Sequence, residues 1–136
     1  MIRKYRESDY QALKEIWLTL GWSISTSDTK AEIQKLVDKN PEISLVYEIE
    51  GKVIGGVFGG YDGRRGLVHK LCIAPKHQGK GYGKALMMAL ELIMKELGVV
   101  KMSFWVKKDN LNVVEFYEKY GFDKRNDIIT MSKTLK

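Results

Sequence analysis

Three β-rich segments joined by two tight turns in the middle of the chain most constrain its fold. Residues 44–50 (SLVYEIE) and 52–61 (KVIGGVFGGY) meet at Glu50-Gly51, and Asp62-Gly63 precedes a third segment, Gly66–Ile73. Short turns with an acidic residue before glycine, set between β-branched and aromatic runs, are typical of β-hairpins. We therefore predict that an antiparallel sheet forms the centre of the fold.

The flanking segments predict further strands and the helices that cover this sheet. The additional strands are predicted at Ile2–Tyr5, Val100–Val106 and Ile128–Leu135, and the helices from Ser8 as N-cap to Leu20, over residues 27–39, at Tyr82–Leu97 and at Asn110–Tyr120. A strand, a helix and a second strand in succession imply a crossover, which places one parallel pair in the sheet. We predict an α/β (α+β) fold with a mostly antiparallel mixed sheet and helices on both faces.

Length and composition favour one domain over residues 1–136, because 136 residues with 44% hydrophobic content can bury a core. No run approaches the roughly 20 apolar residues that span a bilayer. The single cysteine, Cys72, offers neither a disulfide nor a paired metal ligand, so we expect a protein of the reducing cytoplasm with no bound metal. The net charge of +6 favours an anionic partner without choosing one.

A glycine-rich turn, Gln78–Lys84 (QGKGYGK), separates the strand at Gly66–Ile73 from the longest helix. Alternating glycines let the main chain approach a ligand closely, and the unpaired amides of a helix start attract phosphate. Lys80 and Lys84 add positive charge. The turn therefore predicts an anion site, although a flexible turn without a ligand remains an alternative.

Two familiar phosphate motifs do not fit this turn. A nucleotide-hydrolysing P-loop needs glycine where Gln78 stands and serine or threonine where Ala85 stands. A dinucleotide fingerprint needs its third glycine at Lys84 or at Leu86, depending on where it starts. Both classes are excluded, and a Gln-x-x-Gly-x-Gly cradle is left.

This cradle resembles the signature of the GNAT acetyltransferase superfamily, with Gln78, Gly81 and Gly83 at its fixed positions. The resemblance continues upstream in Leu71–Pro75 and downstream in Asn110–Phe122, and so covers most of the chain. It implies a sheet whose parallel pair is splayed around acyl-CoA, and an enzyme that transfers an acetyl group from acetyl-CoA to an amine.

The resemblance also assigns residues to the cofactor. Main-chain groups of Leu71, Cys72 and Ile73 are expected to pair with the pantetheine arm and polarise the thioester. The pyrophosphate is expected to be held by Gln78, Gly79, Lys80, Gly81, Tyr82, Gly83 and Lys84. Asn110 is expected to contact the pantetheine arm, although a helix N-cap role is compatible with the same position.

Tyr117 takes the position of the family tyrosine that protonates the departing CoA thiolate. Val113 replaces the alanine of that pattern, which adds bulk nearby. The strand that supplies a glutamate base in some members contains none here, so His69 or water is left as the base. The resemblance implies direct attack by the amine in a ternary complex.

Several alternatives stay open at this stage. Tyr117 could simply belong to a core, and the whole chain could be an acyl-CoA sensor without catalysis. Trp22 and Asp28 could line an acceptor site, but packing roles explain them equally well. Binding to nucleic acid or a membrane is not expected, because the basic residues are dispersed and no nucleic-acid motif is present. The acceptor and the choice between monomer and homodimer are not predicted.

Overall fold

A computed structural model describes residues 1–136. It contains five strands and four α-helices. The strands are β1 Ile2–Lys4, β2 Ser44–Ile49, β3 Lys52–Tyr61, β4 Gly66–Ile73 and β5 Met102–Phe104, and the helices are α1 Tyr10–Thr19, α2 Lys30–Lys39, α3 Tyr82–Glu96 and α4 Leu111–Glu118. The chain divides into two compact units, residues 1–104 and 105–136, which are described separately.

All five strands belong to one sheet of the first unit, in the order β1-β2-β3-β4-β5. The first three pairings are antiparallel, and β4 pairs in parallel with β5. At the turn between β2 and β3, Glu50 and Gly51 have φ values of +50° and +78°, the left-handed pair that a tight hairpin requires. The predicted hairpins and the single parallel pair are therefore confirmed.

Helices cover both faces of the sheet, as predicted. A Cβ on Gly56 would lie 2.9 Å from Leu13 of α1, whereas a Cβ on Gly59 would lie 3.1 Å from Leu90 of α3. Glycines at these strand positions let the two helices approach the sheet closely on opposite sides. Trp17, fully buried on the α1 side, packs edge-on against Phe58 with ring centroids 6.2 Å apart. Burial of such a ring stabilises the fold by about 1.5–3 kcal/mol.

The start of α1 differs from the prediction that Ser8 caps it. Residues Glu7–Asp9 form a short 3-10 turn, and α1 begins at Tyr10. Asp9 fixes this entry, because its carboxylate accepts hydrogen bonds from the Arg6 amide at 2.8 Å and from the two terminal guanidinium nitrogens of Arg3 at 2.9 Å. A buried carboxylate with charge-assisted hydrogen bonds holds the chain more firmly than an exposed serine cap.

The second unit contains α4 and an irregular C-terminal segment. Strand β5 ends at Phe104, so the strand predicted at Val100–Val106 is shorter than expected. The closing strand predicted at Ile128–Leu135 is wrong, because these residues have no regular secondary structure. Four apolar side chains of that segment are 60–89% exposed, namely Ile128, Ile129, Met131 and Leu135. β-Propensity needs a paired, half-buried neighbour to be realised, and this segment has none.

None of the four helices combines the length and the apolar character needed to cross a membrane.

Candidate active site

The middle of β4 carries a bulge. Gly56 pairs with Cys72 and Phe58 with His69, so two residues of β4, Lys70 and Leu71, stand opposite one residue of β3. Lys70 adopts a φ of +55°, a left-handed conformation that non-glycine residues rarely take. Bulges of this kind redirect the main chain and are frequent beside active sites.

The parallel pairing of β4 with β5 stops just before this bulge. The last paired residues are Val68 and Phe104, and no residue of β5 pairs with residues 69–73. The Ala74 amide donates to Ile54 of β3 at 2.8 Å. Because bonded and non-bonded pairs alternate along antiparallel strands, Ile73 directs its main-chain groups away from β3. The end of β4 therefore presents main-chain donors and acceptors along its open edge.

Gln78 ties the glycine-rich turn to this open edge. Its side-chain Nε2 donates to the Ile73 carbonyl at 3.0 Å. The sequence predicted Gln78 as a cofactor ligand, and this bond places its side chain between the end of β4 and the glycine-rich turn. We infer that this residue sets the distance between the end of β4 and the start of α3.

The turn itself is exposed and presents unpaired amides. Gly79 and Gly81 have φ values of +79° and +85°, with nothing within 4 Å of a Cβ at either position. The first main-chain bond of α3 runs from the Ala85 amide to the Gly81 carbonyl at 3.0 Å. The amides of residues 79–83 donate to no acceptor in the protein. This is the arrangement that binds phosphate groups at a helix start.

Basic and aromatic side chains flank these amides. Lys80 and Lys84 are exposed, one inside the turn and one in the first turn of α3. The ring of Tyr82 lies 4.5 Å from that of Tyr47 on β2, centroid to centroid. The ring contact fixes the start of α3 against the sheet, and the lysines make the surface around the amides positive.

Cys72 and Leu71 lie on β4 between the bulge and the end of the strand. The Cys72 side chain is 2% exposed and belongs to the core beneath α1. Burial raises the pKa of its thiol to about 11, so the thiol is not a nucleophile at neutral pH. Leu71 is half-buried beside it. No cluster of three or more histidine, cysteine, aspartate or glutamate side chains is placed to hold a metal ion.

A charged cluster that could not be predicted from the sequence lies beside the bulge. Lys70 Nζ lies 3.1 Å from Asp28 Oδ2, with both side chains mostly buried. Burial alone would raise the pKa of Asp28, but hydrogen bonds from Ser25 and Lys70 outweigh it and lower that pKa. His69 is half-buried next to this pair, and its burial lowers the pKa of the imidazole. His69 is therefore neutral at pH 7, as a proton acceptor must be.

The second unit holds the other predicted residues. Tyr117 is 7% exposed and lies edge-on to Phe116 and Phe122, at centroid distances of 5.0 and 5.7 Å. Burial raises the pKa of its phenol to about 12, so the proton is retained at neutral pH. Asn110 stands at the N-cap of α4 without a side-chain capping bond, and it is exposed. Its side chain is therefore not committed to capping the helix.

Comparisons with known proteins place the chain in one family. Residues 6–122 match the acetyltransferase (GNAT) family. An acetyltransferase of Pectobacterium atrosepticum is 33% identical over 134 residues, which are 98% of this chain and 94% of that protein. A crystal structure of Ard1 from Thermoplasma volcanium has a TM-score of 0.81 and 27% identity, covering 90% of this chain and 82% of that one.

A second solved structure contains the expected cofactor. The PaiA N-acetyltransferase of Thermoplasma acidophilum, solved in complex with coenzyme A, has a TM-score of 0.80 and 20% identity, covering 94% of this chain and 92% of that one. The family match over residues 6–122 includes strands β2–β5 and all four helices. This chain belongs to the GNAT acetyltransferase family and is an acetyltransferase.

Proposed function

We propose that the protein transfers an acetyl group from acetyl-CoA to the primary amine of an acceptor. The observation that carries this proposal is the row of unpaired amides at residues 79–83, presented in an exposed turn at the open end of β4. A diphosphate offers the oxygens that these amides lack. The complex of the similar Thermoplasma acidophilum enzyme with coenzyme A supports this choice of ligand.

The proposed binding roles follow from the geometry of the turn and strand. The amides of Gly79, Lys80, Gly81, Tyr82 and Gly83, with the charges of Lys80 and Lys84, hold the pyrophosphate. Main-chain groups of Leu71 and Ile73 bind the pantetheine arm along the open edge of β4, where a strand partner is missing, and Cys72, which pairs with Gly56 of β3, holds the strand between them. Asn110 contributes a side-chain amide to the same arm.

The proposed reaction is direct transfer in a ternary complex. The neutral acceptor amine attacks the thioester carbonyl, whose developing negative charge is stabilised by main-chain donors at the bulge. Tyr117 gives its proton to the CoA thiolate as it leaves. His69 or water takes the proton of the amine, and no covalent intermediate on the protein is needed, in agreement with the buried thiol of Cys72.

We further propose that residues 1–136 form one catalytic domain that acts in the cytoplasm. Its partners are acetyl-CoA and an amine, with no membrane, nucleic acid or metal involved. The competing function is an acyl-CoA sensor that binds the cofactor without turnover. The rate of the Tyr117→Phe variant distinguishes the two functions, because only an enzyme uses the phenol as a proton donor.

Two measurements test the proposal in sequence. Thermal-shift titration compares CoA with pantetheine, which lacks the pyrophosphate, and we expect stabilisation by CoA at concentrations where pantetheine has no effect. Release of free thiol from acetyl-CoA is then measured against a panel of amines. Absence of any effect of CoA at millimolar concentration would refute the cofactor assignment. Binding without thiol release for every amine would favour the sensor.

A further inference from the structure

The bulge in β4 places a lysine where glycine is the usual occupant. Lys70 has a φ of +55° within a strand, a conformation that persists in non-glycine residues only where surrounding contacts impose it. The contact that imposes it here is made by the lysine side chain itself.

The ammonium of Lys70 is held by one carboxylate and two aromatic rings. Nζ lies 3.1 Å from Asp28 Oδ2, with the side chains 20% and 12% exposed. The same nitrogen lies 5.2 Å from the ring centroid of Trp17 and 5.5 Å from that of Trp22. Partial burial strengthens both the ion pair and the cation–π contacts relative to exposed ones. The side chain is therefore fixed at both ends.

Asp28 in turn organises the segment between α1 and α2. Its Oδ2 accepts the Ser25 amide and the Ser25 hydroxyl at 2.9 Å each. The Asp28 carbonyl accepts the hydroxyl of Tyr10, on α1, at 2.7 Å. Lys70 is the member of this network that reaches β4, so it connects the segment of residues 22–28 to the bulge.

The bulge also changes which main-chain groups of β3 face Lys70 and Leu71. Gly59 of β3 donates to Ile43 at 2.7 Å, so by alternation Val57, which pairs with Leu45, also directs its main-chain groups to β2. Val57 therefore offers no partner to Lys70 and Leu71 across the bulge. The orientation of these two peptide groups depends on the backbone conformation at Lys70.

We propose that Lys70 is a positioning residue for acetyl transfer. Its bond to Asp28 fixes the position of the bulge of β4 relative to the segment of residues 22–28. The proposal rests on the proposed function, since it assigns the bulge to the thioester and the segment to the acceptor side. Lys70 itself touches neither reactant. It sets the direction of the peptide groups that stabilise the developing charge.

The test measures acetyl transfer and CoA binding in four variants. Lys70→Met removes the charge and keeps the alkyl chain, Asp28→Asn removes the partner, the double variant removes both, and Lys70→Arg restores a cation. The reaction is thiol release from acetyl-CoA with the best amine of the panel, or with water if no amine is accepted. Lys35→Met is the matched control, because Lys35 makes an exposed ion pair with Glu32 at 3.0 Å.

A positioning role predicts a specific set of results. Lys70→Met and Asp28→Asn each lower kcat about 10- to 100-fold, since a displacement of about 1 Å in a catalytic group has effects of that size. The double variant is no slower than either single one, and Lys70→Arg recovers most of the rate. CoA affinity falls much less than kcat in all of them, because the turn at residues 79–83, which holds the pyrophosphate, is unchanged.

A buried substitution elsewhere distinguishes an effect on catalysis from a general loss of stability. Val37→Ala, on α2, removes core volume without touching the network and is expected to lower the melting temperature without lowering kcat at 25 °C. Wild-type kcat in Lys70→Met, additive losses in the double variant, or an equal loss in Val37→Ala overturns the proposal. Failure of all proteins to bind CoA instead refutes the proposed function.

Discussion

At the scale of single residues, the proton on Tyr117 is the feature most open to test. The phenol is buried, and burial raises its pKa to about 12. Tyr117→Phe keeps the ring and its contacts with Phe116 and Phe122, so we expect unchanged CoA affinity. We expect kcat to fall by about 10- to 10,000-fold, as for loss of a general acid. Steady-state kinetics with acetyl-CoA and the best amine measures this.

The matched control for this substitution is Tyr120→Phe. Tyr120 lies one turn further along the chain, is 42% exposed and also contacts Phe116. We expect its loss of a hydroxyl to leave kcat unchanged. Equal rates in wild type and Tyr117→Phe would exclude Tyr117 as the acid and leave solvent to protonate the thiolate.

The burial of His69 predicts how the free energy of unfolding depends on pH. Burial lowers the pKa of the folded imidazole, whereas in the unfolded chain it is about 6.5. As the pH falls below the unfolded pKa, His69 takes up a proton in the unfolded chain. In the folded chain it does so only when the pH falls below the lowered pKa. The free energy of unfolding therefore falls as pH decreases from about 6.5 through the depressed folded pKa. Urea unfolding at pH 7.5 and 5.5 should show this slope, and His69→Gln should reduce it; an undiminished slope would contradict the assignment.

The exposed glycine-rich turn between β4 and α3 could be predicted from sequence, but the charged network could not. Gly79, Gly81 and Gly83 stand close together in the sequence, so their spacing was sufficient to predict a turn before the helix. Lys70 and Asp28 are 42 positions apart in the sequence, and only the tertiary fold brings them to 3.1 Å. A lysine in a left-handed bulge also contradicts residue preference, so local propensity pointed away from it.

At the scale of elements, helix α3 offers an internal control for the phosphate site. Gly81 and Gly98 flank its two ends with the same φ of +85°, and in both cases nothing lies within 4 Å of a Cβ. Alanine at either position imposes similar backbone strain, about 1–2 kcal/mol. We expect both variants to lose similar stability, but only Gly81→Ala to weaken CoA binding, by about 10-fold. Calorimetric titration with CoA measures the difference.

Equal CoA affinities in the two glycine variants would show that the amides of the turn do not hold the pyrophosphate. A weakened Gly98→Ala variant would point instead to a general loss of helix order, because Gly98 lies at the opposite end of α3 from the turn.

Elements with local determinants were predicted well, and those that depend on distant partners were not. Strand β4 matches its predicted range, and α3 differs from its prediction by one residue at its C-terminal end, because turns or glycines bound both. The strand predicted at Ile128–Leu135 had suitable composition, but composition cannot supply the partner strand that pairing requires. Val100–Val106 was predicted too long for the same reason, since β5 pairs over three residues only.

At the scale of the whole molecule, the question is whether residues 1–104 and 105–136 unfold together. Both are needed for the proposed reaction, because one contains the turn and the other contains Tyr117. A single catalytic domain predicts one cooperative transition. Hydrogen exchange followed by mass spectrometry at increasing urea reports α3 and α4 separately in the intact protein. We expect the amides of both helices to become exchangeable at the same midpoint.

A fluorescence measurement gives the same comparison independently. Trp17 and Trp22 report the first unit and Trp105, which is 68% exposed, reports the second. In Trp105→Phe the remaining tryptophan fluorescence comes from the first unit alone. The urea midpoint of this fluorescence should coincide with the midpoint of α4 from hydrogen exchange. An earlier midpoint for α4 would mean that the two units unfold independently. Addition of CoA should then bring the midpoints together if Asn110 binds the ligand, because a ligand held by both units couples their unfolding.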